Sequence, residues 1–393
     1  MFKVYQLGGS CCRHYIKKID GKEIFVKEID KNINGIDNGY KKFFYEIQHI
    51  KKYSNSGLFP KIIYINENKS TFSVGMEYCY GGATLSDLIR NDSVEEKCFE
   101  ESFSYVLDRL FSDLYGNRFD EKPCRDYIDK CYFNRVENRL SQIFEKNLLQ
   151  TYSFTNSLTK IINYGCYIND DYYPPLEKYI KYLKKDKKLL EILKISYTCN
   201  SHHDLCPLNI LVDVDLKDNK IRDFKLIDVR GEDETGRDCR HYMYDMGKML
   251  LGLDMFDIFR IFNGKLGKKV YYYSIKNDDK IPKIKFFLDN NVIVKRYIYA
   301  SNYFWHHMEK RNYYEDITSD TKEYSQIKFL FSQAMMYHPD IPCRIIYEHD
   351  EEMAILLYIR GMMMIRRFCE KTYGTDPVGK FHQNVDLWPR VIG

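Results

Sequence analysis

A short polar segment placed just before two strand-like runs constrains this chain more than any other feature. Residues 202–209 read His-His-Asp-Leu-Cys-Pro-Leu-Asn, and the apolar runs that follow within residues 209–229 predict a β-hairpin. An acidic residue, Asp228, comes directly after the second run. Because paired strands bring their ends together, we expect the hairpin to gather the polar side chains of Asp204, Asn209 and Asp228.

These side chains suit phosphoryl transfer. That reaction needs a carboxylate to orient and deprotonate the attacking hydroxyl, and oxygen ligands that hold Mg²⁺ against nucleotide phosphates. Asp204 would be the catalytic base, and Asn209 and Asp228 would be the metal ligands. A lone Asp or Asn in a turn is usually a cap. The prediction therefore depends on finding all three with this spacing, order and strand context.

The rest of the chain divides by its periodicity. Residues 1–80 alternate apolar and polar positions around small turns, which predicts an antiparallel sheet. A helical pattern over residues 39–53 follows the third strand and leaves Glu46 off its apolar stripe. Helical periodicity dominates afterwards. We predict an α+β protein with a small N-terminal antiparallel β lobe, residues 1–80, and a large, mainly helical C-terminal lobe, residues 81–393.

The polar motif resembles the catalytic core of kinase-like phosphotransferases, which reads His-x-Asp-x-x-x-x-Asn before a strand and a second Asp. Protein kinases typically have Lys where this chain has Cys206, and Asp-Phe-Gly where it has Asp228 followed by Val, Arg and Gly. Both departures make the chain similar to the aminoglycoside phosphotransferase and choline kinase group. The resemblance implies a two-lobed protein-kinase-like fold, ATP and Mg²⁺ as cofactors, and a structural role for His202 in bracing the loop.

The resemblance also implies which residues of the N-terminal lobe contact or position ATP: Gly8, Gly9, Ser10, Lys27, Glu46, Glu77 and Cys79. The two glycines and the serine would cover the phosphates. Lys27 would contact the α- and β-phosphates, with Glu46 holding it in place. Backbone groups of Glu77 and Cys79 would pair with adenine. The alternatives are an ordinary hairpin turn, a solvated Lys and Glu, and a buried strand end.

Other segments resemble a bacterial branch associated with capsule and surface-polysaccharide genes. That branch often reads Ile-Asp-Pro-Arg-Gly, close to residues 227–231, and its last helices are similar to residues 331–340 and 360–362. Asp245 would stabilise the catalytic core. The implied acceptor is a sugar, aminosugar or amino alcohol. Charged residues that could contact it are Arg135, Arg139, Glu232, Asp233 and Glu234, whose alternative is a solvated position. Arg230 could contact the acceptor or a phosphate, or form a structural ion pair.

Two departures from the group keep alternatives open. His203 stands where relatives usually have Gly, and residues 237–244 do not match their Gly-Asp spacing. One alternative is a protein kinase, which Cys206 and the lack of an Ala-Pro-Glu motif after Asp228 disfavour. The other is a nucleotide-binding scaffold without catalytic activity.

Composition limits the class of protein. Of 393 residues, 44% are hydrophobic and 16% aromatic, which is too much apolar surface for a disordered chain. A net charge of +4 without long blocks of one sign does not indicate nucleic acid as a partner. The 12 cysteines form no Cys-x-x-Cys pair, and the apolar run at 353–365 is interrupted by Arg360. With no secretory pattern at the N-terminus, we expect a cytoplasmic enzyme without a membrane span.

Overall fold

A computed structural model of the chain describes residues 12–32, 39–116, 118–119, 126–152, 154–215, 220–230, 241–262, 268–313, 321–378 and 391–392. The chain forms two compact units, each built from two segments. The first unit comprises Met1–Phe119 and Cys199–Asp245, and the second comprises Asp120–Thr198 and Met246–Gly393. The lobe boundary predicted near residue 80 therefore lies inside the first unit.

The regular elements of the described residues are numbered in chain order. The strands are β1 Arg13–Ile19, β2 Lys22–Asp30, β3 Ile62–Glu67, β4 Thr71–Glu77, β5 Arg118–Phe119, β6 Cys166–Ile168, β7 Asp171–Tyr173, β8 Thr198–Cys199, β9 Ile210–Asp215, β10 Lys220–Leu226, β11 Tyr271–Lys276, β12 Lys283–Asp289 and β13 Val391–Ile392. The helices are α1 Gly39–Lys52, α2 Leu85–Arg90, α3 Glu96–Arg109, α4 Asn134–Glu145, α5 Leu148–Thr151, α6 Ser157–Tyr164, α7 Leu176–Leu183, α8 Lys187–Leu193, α9 Tyr242–Leu251, α10 Asp257–Ile261, α11 Val292–Lys310, α12 Lys322–Met336, α13 Ile341–Cys343 and α14 Glu351–Tyr373.

The first unit is built on a four-stranded antiparallel sheet with the order β1-β2-β4-β3. Asp20 and Gly21, with φ of 50° and 76°, form the turn between β1 and β2, as an Asp-Gly pair favours. Helix α1 packs on this sheet through Phe43, whose ring centroid lies 5.2 Å from that of Phe72. The predicted α+β class with an N-terminal antiparallel sheet is confirmed.

The predicted hairpin of the first unit is present as β9 and β10. Ile210 lies opposite Leu226, so the residues just outside the hairpin are neighbours as well. The backbone N–H of Ile227 donates to the carbonyl of Asn209 at 3.0 Å. The hairpin thus brings Asn209 and Asp228, which lie at its two open ends, to the same edge.

The second unit is mainly helical, as predicted, but it also contains a sheet that the prediction missed. Its strand order is β11-β12-β6-β7, with β13 paired to β12. Along β12 the side chains of Ile284, Phe286 and Leu288 are buried while Lys283 and Lys285 are exposed. This alternation is present in the sequence, but it is short and stands between longer helical patterns. Pairing with the neighbouring β11 and with the distant β6 and β13 accompanies this short alternation, and such pairing is what stabilises a strand.

A buried ionic cluster explains the arginine that interrupts the apolar run of α14. Arg360 donates from Nε and Nη2 to the carboxylate of Asp254 at 2.9 and 2.7 Å, and the Tyr337 hydroxyl donates to the same carboxylate. Each of these side chains is almost completely buried. Asp254 belongs to the π-helical turn Gly252–Phe256.

No helix in the described part of the chain combines the length and hydrophobicity that a membrane span requires.

Candidate active site

Lys27 lies between two carboxylates in the first unit. Its Nζ atom is 3.0 and 2.7 Å from the two carboxylate oxygens of Glu46 and 2.7 Å from Oδ1 of Asp228. The side chains of Lys27 and Glu46 are each 7% exposed, whereas that of Asp228 is 51% exposed. The position of Glu46 off the apolar stripe of α1 therefore reflects a buried ion pair and not a solvated face.

The charges of this cluster follow from burial and proximity. Burial alone would lower the pKa of Lys27, but the carboxylates of Asp228 and Glu46 outweigh it and hold that pKa above its ordinary value. The Lys27 ammonium lowers the pKa of Asp228 to about 2. Burial raises the pKa of Glu46, and Lys27 offsets this only in part. Lys27 and Asp228 are therefore both charged at neutral pH.

Asp204 is held from two sides. The side-chain nitrogen of Asn209 donates to the Asp204 carbonyl at 2.8 Å, and Nε of Arg230 donates to Oδ2 of Asp204 at 2.9 Å. The backbone N–H of Arg230 also donates to the His202 carbonyl at 3.0 Å. Arg230 was predicted to contact substrate or phosphate, or to form a structural ion pair. In the structure Arg230 pairs with the proposed base, Asp204. The sequence feature that singled Arg230 out was its position two residues after Asp228.

His202 braces the loop, in line with its implied structural role. Its Nε2 atom lies 2.9 Å from the carbonyl of Ile227, and its Nδ1 atom accepts from the backbone N–H of Asp204 at 3.3 Å. These contacts assign the neutral tautomer with the proton on Nε2, because a carbonyl only accepts and an N–H only donates. The ring therefore joins the loop before β9 to the residue after β10.

The burial of His202 makes stability depend on pH. Burial lowers the pKa of the imidazole to about 4, against about 6.5 in an unfolded chain. Folding thus favours the neutral ring, so its contribution is fully present above about pH 6.5 and is lost as the pH falls toward 4. Between pH 7.5 and 4 we expect the wild type to lose about 3 kcal/mol more unfolding free energy than His202→Gln, measured by urea unfolding. Parallel pH profiles would contradict a buried, neutral His202.

Asp245 anchors the same loop through hydrogen bonds to its backbone. Its carboxylate accepts from the backbone N–H groups of His202 at 2.6 Å and His203 at 2.7 Å, and from the Tyr115 hydroxyl at 3.1 Å. Burial raises the pKa of Asp245 to about 7 despite these donors. Through these contacts Asp245 supports the backbone of the loop, which is the stabilising role that the resemblance implied.

His203 occupies a backbone conformation that favours glycine, the residue usual at this position in the group that the motif resembles. Its φ is 65°, in the left-handed region that costs other residues roughly 1–2 kcal/mol. The His203 ring is buried, and its centroid lies 6.3 Å from those of His49 and Tyr244. Ring packing and the bond from its N–H to Asp245 therefore hold the residue in a strained conformation.

The remaining predicted residues are not brought to this cluster by any contact that we observe. Glu77 ends β4 opposite Ile24, and the Cys79 thiol lies 3.6 Å from the Glu77 carbonyl, with its pKa raised to about 12 by burial. Gly8, Gly9, Ser10 and residues 232–234 lie outside the described residues. Arg135 and Arg139 belong to the second unit.

The donor set fits a Mg²⁺ ion that is shared with phosphates. The nitrogen of the Asn209 amide is engaged by Asp204, which leaves the amide oxygen as its possible ligand atom. Asp228 is ionised and half-exposed. Mg²⁺ usually takes one or two protein ligands together with phosphates and water, and not an all-protein cage. The described residues contain no cluster of three or more His, Cys, Asp or Glu side chains arranged to hold a metal.

The site therefore consists of two linked clusters on the edge of the hairpin. Lys27, Glu46 and Asp228 form the first, and Asp204 and Asn209 belong to the second. The backbone bond across the open end of the hairpin joins them. No model of a known protein family matches the chain, and no curated protein is significantly similar to it.

Proposed function

We propose that this chain is an ATP-dependent phosphotransferase of the protein-kinase-like fold, acting on a hydroxyl of a small molecule. The observation that carries the proposal is the position of Lys27 between Glu46 and Asp228. These three residues come from three separate segments. Unlike the fully buried pair of Arg360 and Asp254, this cluster includes a half-exposed carboxylate, which supports a site that a charged ligand can reach. Binding the phosphates of a nucleotide is the use that the donor set fits best.

Asp204 is the base in this proposal. Its carboxylate would accept the proton of the acceptor hydroxyl, while Arg230 orients that carboxylate and Asn209 holds the backbone carbonyl of the same residue. A base that is already oriented loses little conformational freedom when the acceptor binds. The same contacts would be of little use to a site that only binds a nucleotide.

The other residues of the site would bind the charged groups of MgATP. MgATP, when bound, supplies the phosphoryl group and a cation that neutralises the charge developing during transfer. Asn209 and Asp228 would hold the cation through oxygen atoms, and Lys27 would hold phosphate oxygens while Glu46 keeps its ammonium in place. Each of these roles matches the group's charge and burial in the structure.

The resemblance at residues 227–231 to a surface-polysaccharide branch supports a narrower form of the proposal. The acceptor would be a sugar or aminosugar, with an amino alcohol as the remaining choice. The enzyme would work in the cytoplasm, where ATP is available. Fold alone does not select among these acceptors, so the choice has to be made by assay.

We expect Mg²⁺-dependent ATP consumption with at least one acceptor from a panel of sugars, aminosugars, choline, ethanolamine and aminoglycosides. Asp204→Asn should reduce kcat by about 100-fold to 10,000-fold, the usual contribution of a general base, while the Kd for MgATP stays the same. Asp213→Asn, on β9 of the same hairpin, is the matched control and should keep full activity. A chain that binds no MgATP, or an Asp204→Asn variant with normal turnover, would show the proposal to be wrong.

A further inference from the structure

His14 shares a face of the N-terminal sheet with Lys27. The two residues lie directly opposite each other in the antiparallel pairing of β1 with β2. Directly opposed residues of such a pair project to the same side of the sheet, with their Cβ atoms about 5 Å apart. Phe25, two positions from Lys27, is on this side as well, and its ring centroid lies 5.6 Å from that of His14. The imidazole is therefore next to the ammonium that the site uses.

One nitrogen of this imidazole has no hydrogen-bond partner within the described residues. The Nε2 atom of His14 is buried, and no hydrogen bond to it is found within the described residues. Leaving a buried polar atom unpaired costs roughly 1–3 kcal/mol, and native structures pair most such atoms. The ring as a whole is only partly buried, so a bound molecule could reach it. An unpaired nitrogen at this position therefore indicates a partner that the described residues do not supply.

The surrounding charges define the chemistry of that partner. Burial and the Lys27 ammonium lower the pKa of His14, while Asp228 raises it less. The ring is therefore neutral at neutral pH and offers one N–H donor. A partner beside a lysine ammonium should be an anionic oxygen, because Coulomb attraction concentrates such groups there.

We propose that His14 donates a hydrogen bond from Nε2 to a phosphate oxygen of the bound nucleotide, next to the oxygen that Lys27 holds. This inference rests on the proposed function and adds a specificity residue to it. The resemblance implies a glycine loop and a strand lysine at the phosphates, and a donor on β1 opposite Lys27 is an additional contact. The contact would recognise the phosphate chain and not the nucleoside.

The test compares ligands with and without phosphates on the full-length chain. His14→Leu should raise the Kd for MgATP by about 10-fold to 100-fold, the range for a hydrogen bond to a charged group, and leave the Kd for adenosine unchanged. His14→Gln keeps an N–H donor at similar reach and should stay within about 3-fold of wild type. Tyr15→Leu, on the opposite face of β1, is the control and should bind MgATP normally. Thermal unfolding of each variant checks that it folds.

The possible outcomes distinguish a failure of the His14 contact from a failure of the proposed function. If His14→Leu binds MgATP as tightly as wild type while Lys27→Met does not, the nucleotide site stands and the His14 contact is wrong. Equal weakening for MgATP and adenosine would assign His14 to the base or ribose and overturn the phosphate contact. A wild-type chain that binds neither ligand would overturn both proposals.

Discussion

Replacing Lys27 by Met lowers the free energy of unfolding by about 3–5 kcal/mol, the expected cost of removing one member of a buried ion pair. The reason is Glu46, whose side chain is 7% exposed and whose two carboxylate oxygens both accept hydrogen bonds from Lys27. Without the ammonium, its charge is buried and uncompensated. Asp228 contributes less to the loss because half of its side chain faces solvent. Guanidinium unfolding followed by fluorescence measures the change.

The matched control is Lys27→Met combined with Glu46→Leu. Replacing a buried ion pair by apolar groups of similar volume is often neutral, so the double variant should recover most of the lost stability. It should not recover the proposed activity, and we expect turnover at least about 100-fold below wild type, since the cation proposed to hold phosphate is gone. A double variant with normal turnover would remove Lys27 from the catalytic machinery. A single variant as stable as wild type would mean that the pair is not formed in solution.

The second large effect is expected in the second unit, at Asp254. Asp254→Ala should cost about 3–5 kcal/mol, because Arg360 is buried and makes two hydrogen bonds to this carboxylate. The Tyr337 hydroxyl would lose its acceptor at the same time. Chemical unfolding and the shift in Tm measure the effect.

Two comparison variants make this result specific to the buried cluster. Combining Asp254→Asn with Arg360→Met removes both charges and leaves an acceptor for Tyr337, so it should restore much of the stability. Glu177→Ala breaks an ion pair in which both side chains are well exposed, and it should change stability by less than about 0.5 kcal/mol. Equal losses for Asp254→Ala and Glu177→Ala would contradict the buried position of the cluster.

Local patterns in the sequence predicted local structure well. The helical spacing over residues 39–53 corresponds to α1, Gly39–Lys52, and the apolar runs after residue 209 correspond to β9 and β10. Glu46 shows the limit of such patterns. Periodicity placed it off the apolar stripe, which normally means solvent, but its burial depends on a lysine from β2. Strand β12 was missed for a related reason, since the sheet that stabilises it includes β6 and β13 from distant parts of the chain as well as the neighbouring β11.

The candidate site was predictable as a set of residue types and less so as a network. The grouping of Lys27 with Glu46 and Asp228 agrees with the resemblance to kinase-like phosphotransferases, while ATP, Mg²⁺ and the acceptor stay proposals. The pairing of Arg230 with Asp204 needed coordinates, because spacing left substrate, phosphate and ion pair open. His14 had no sequence motif at all. Its position opposite Lys27 appears only once the register of β1 and β2 is known.

The segmented first unit has a consequence for how the chain matures. Lys27 and Asp228 are 201 positions apart, and the whole of Asp120–Thr198, part of the other unit, is synthesised between them. During translation the N-terminal sheet leaves the ribosome long before the hairpin that completes the site. Glu46 and Lys27 can pair early, but Asp228 reaches them only after a long excursion of the chain. Closing such distant contacts is slow, so on the nascent chain the N-terminal sheet precedes the Asp204 loop and the contacts of Asp228.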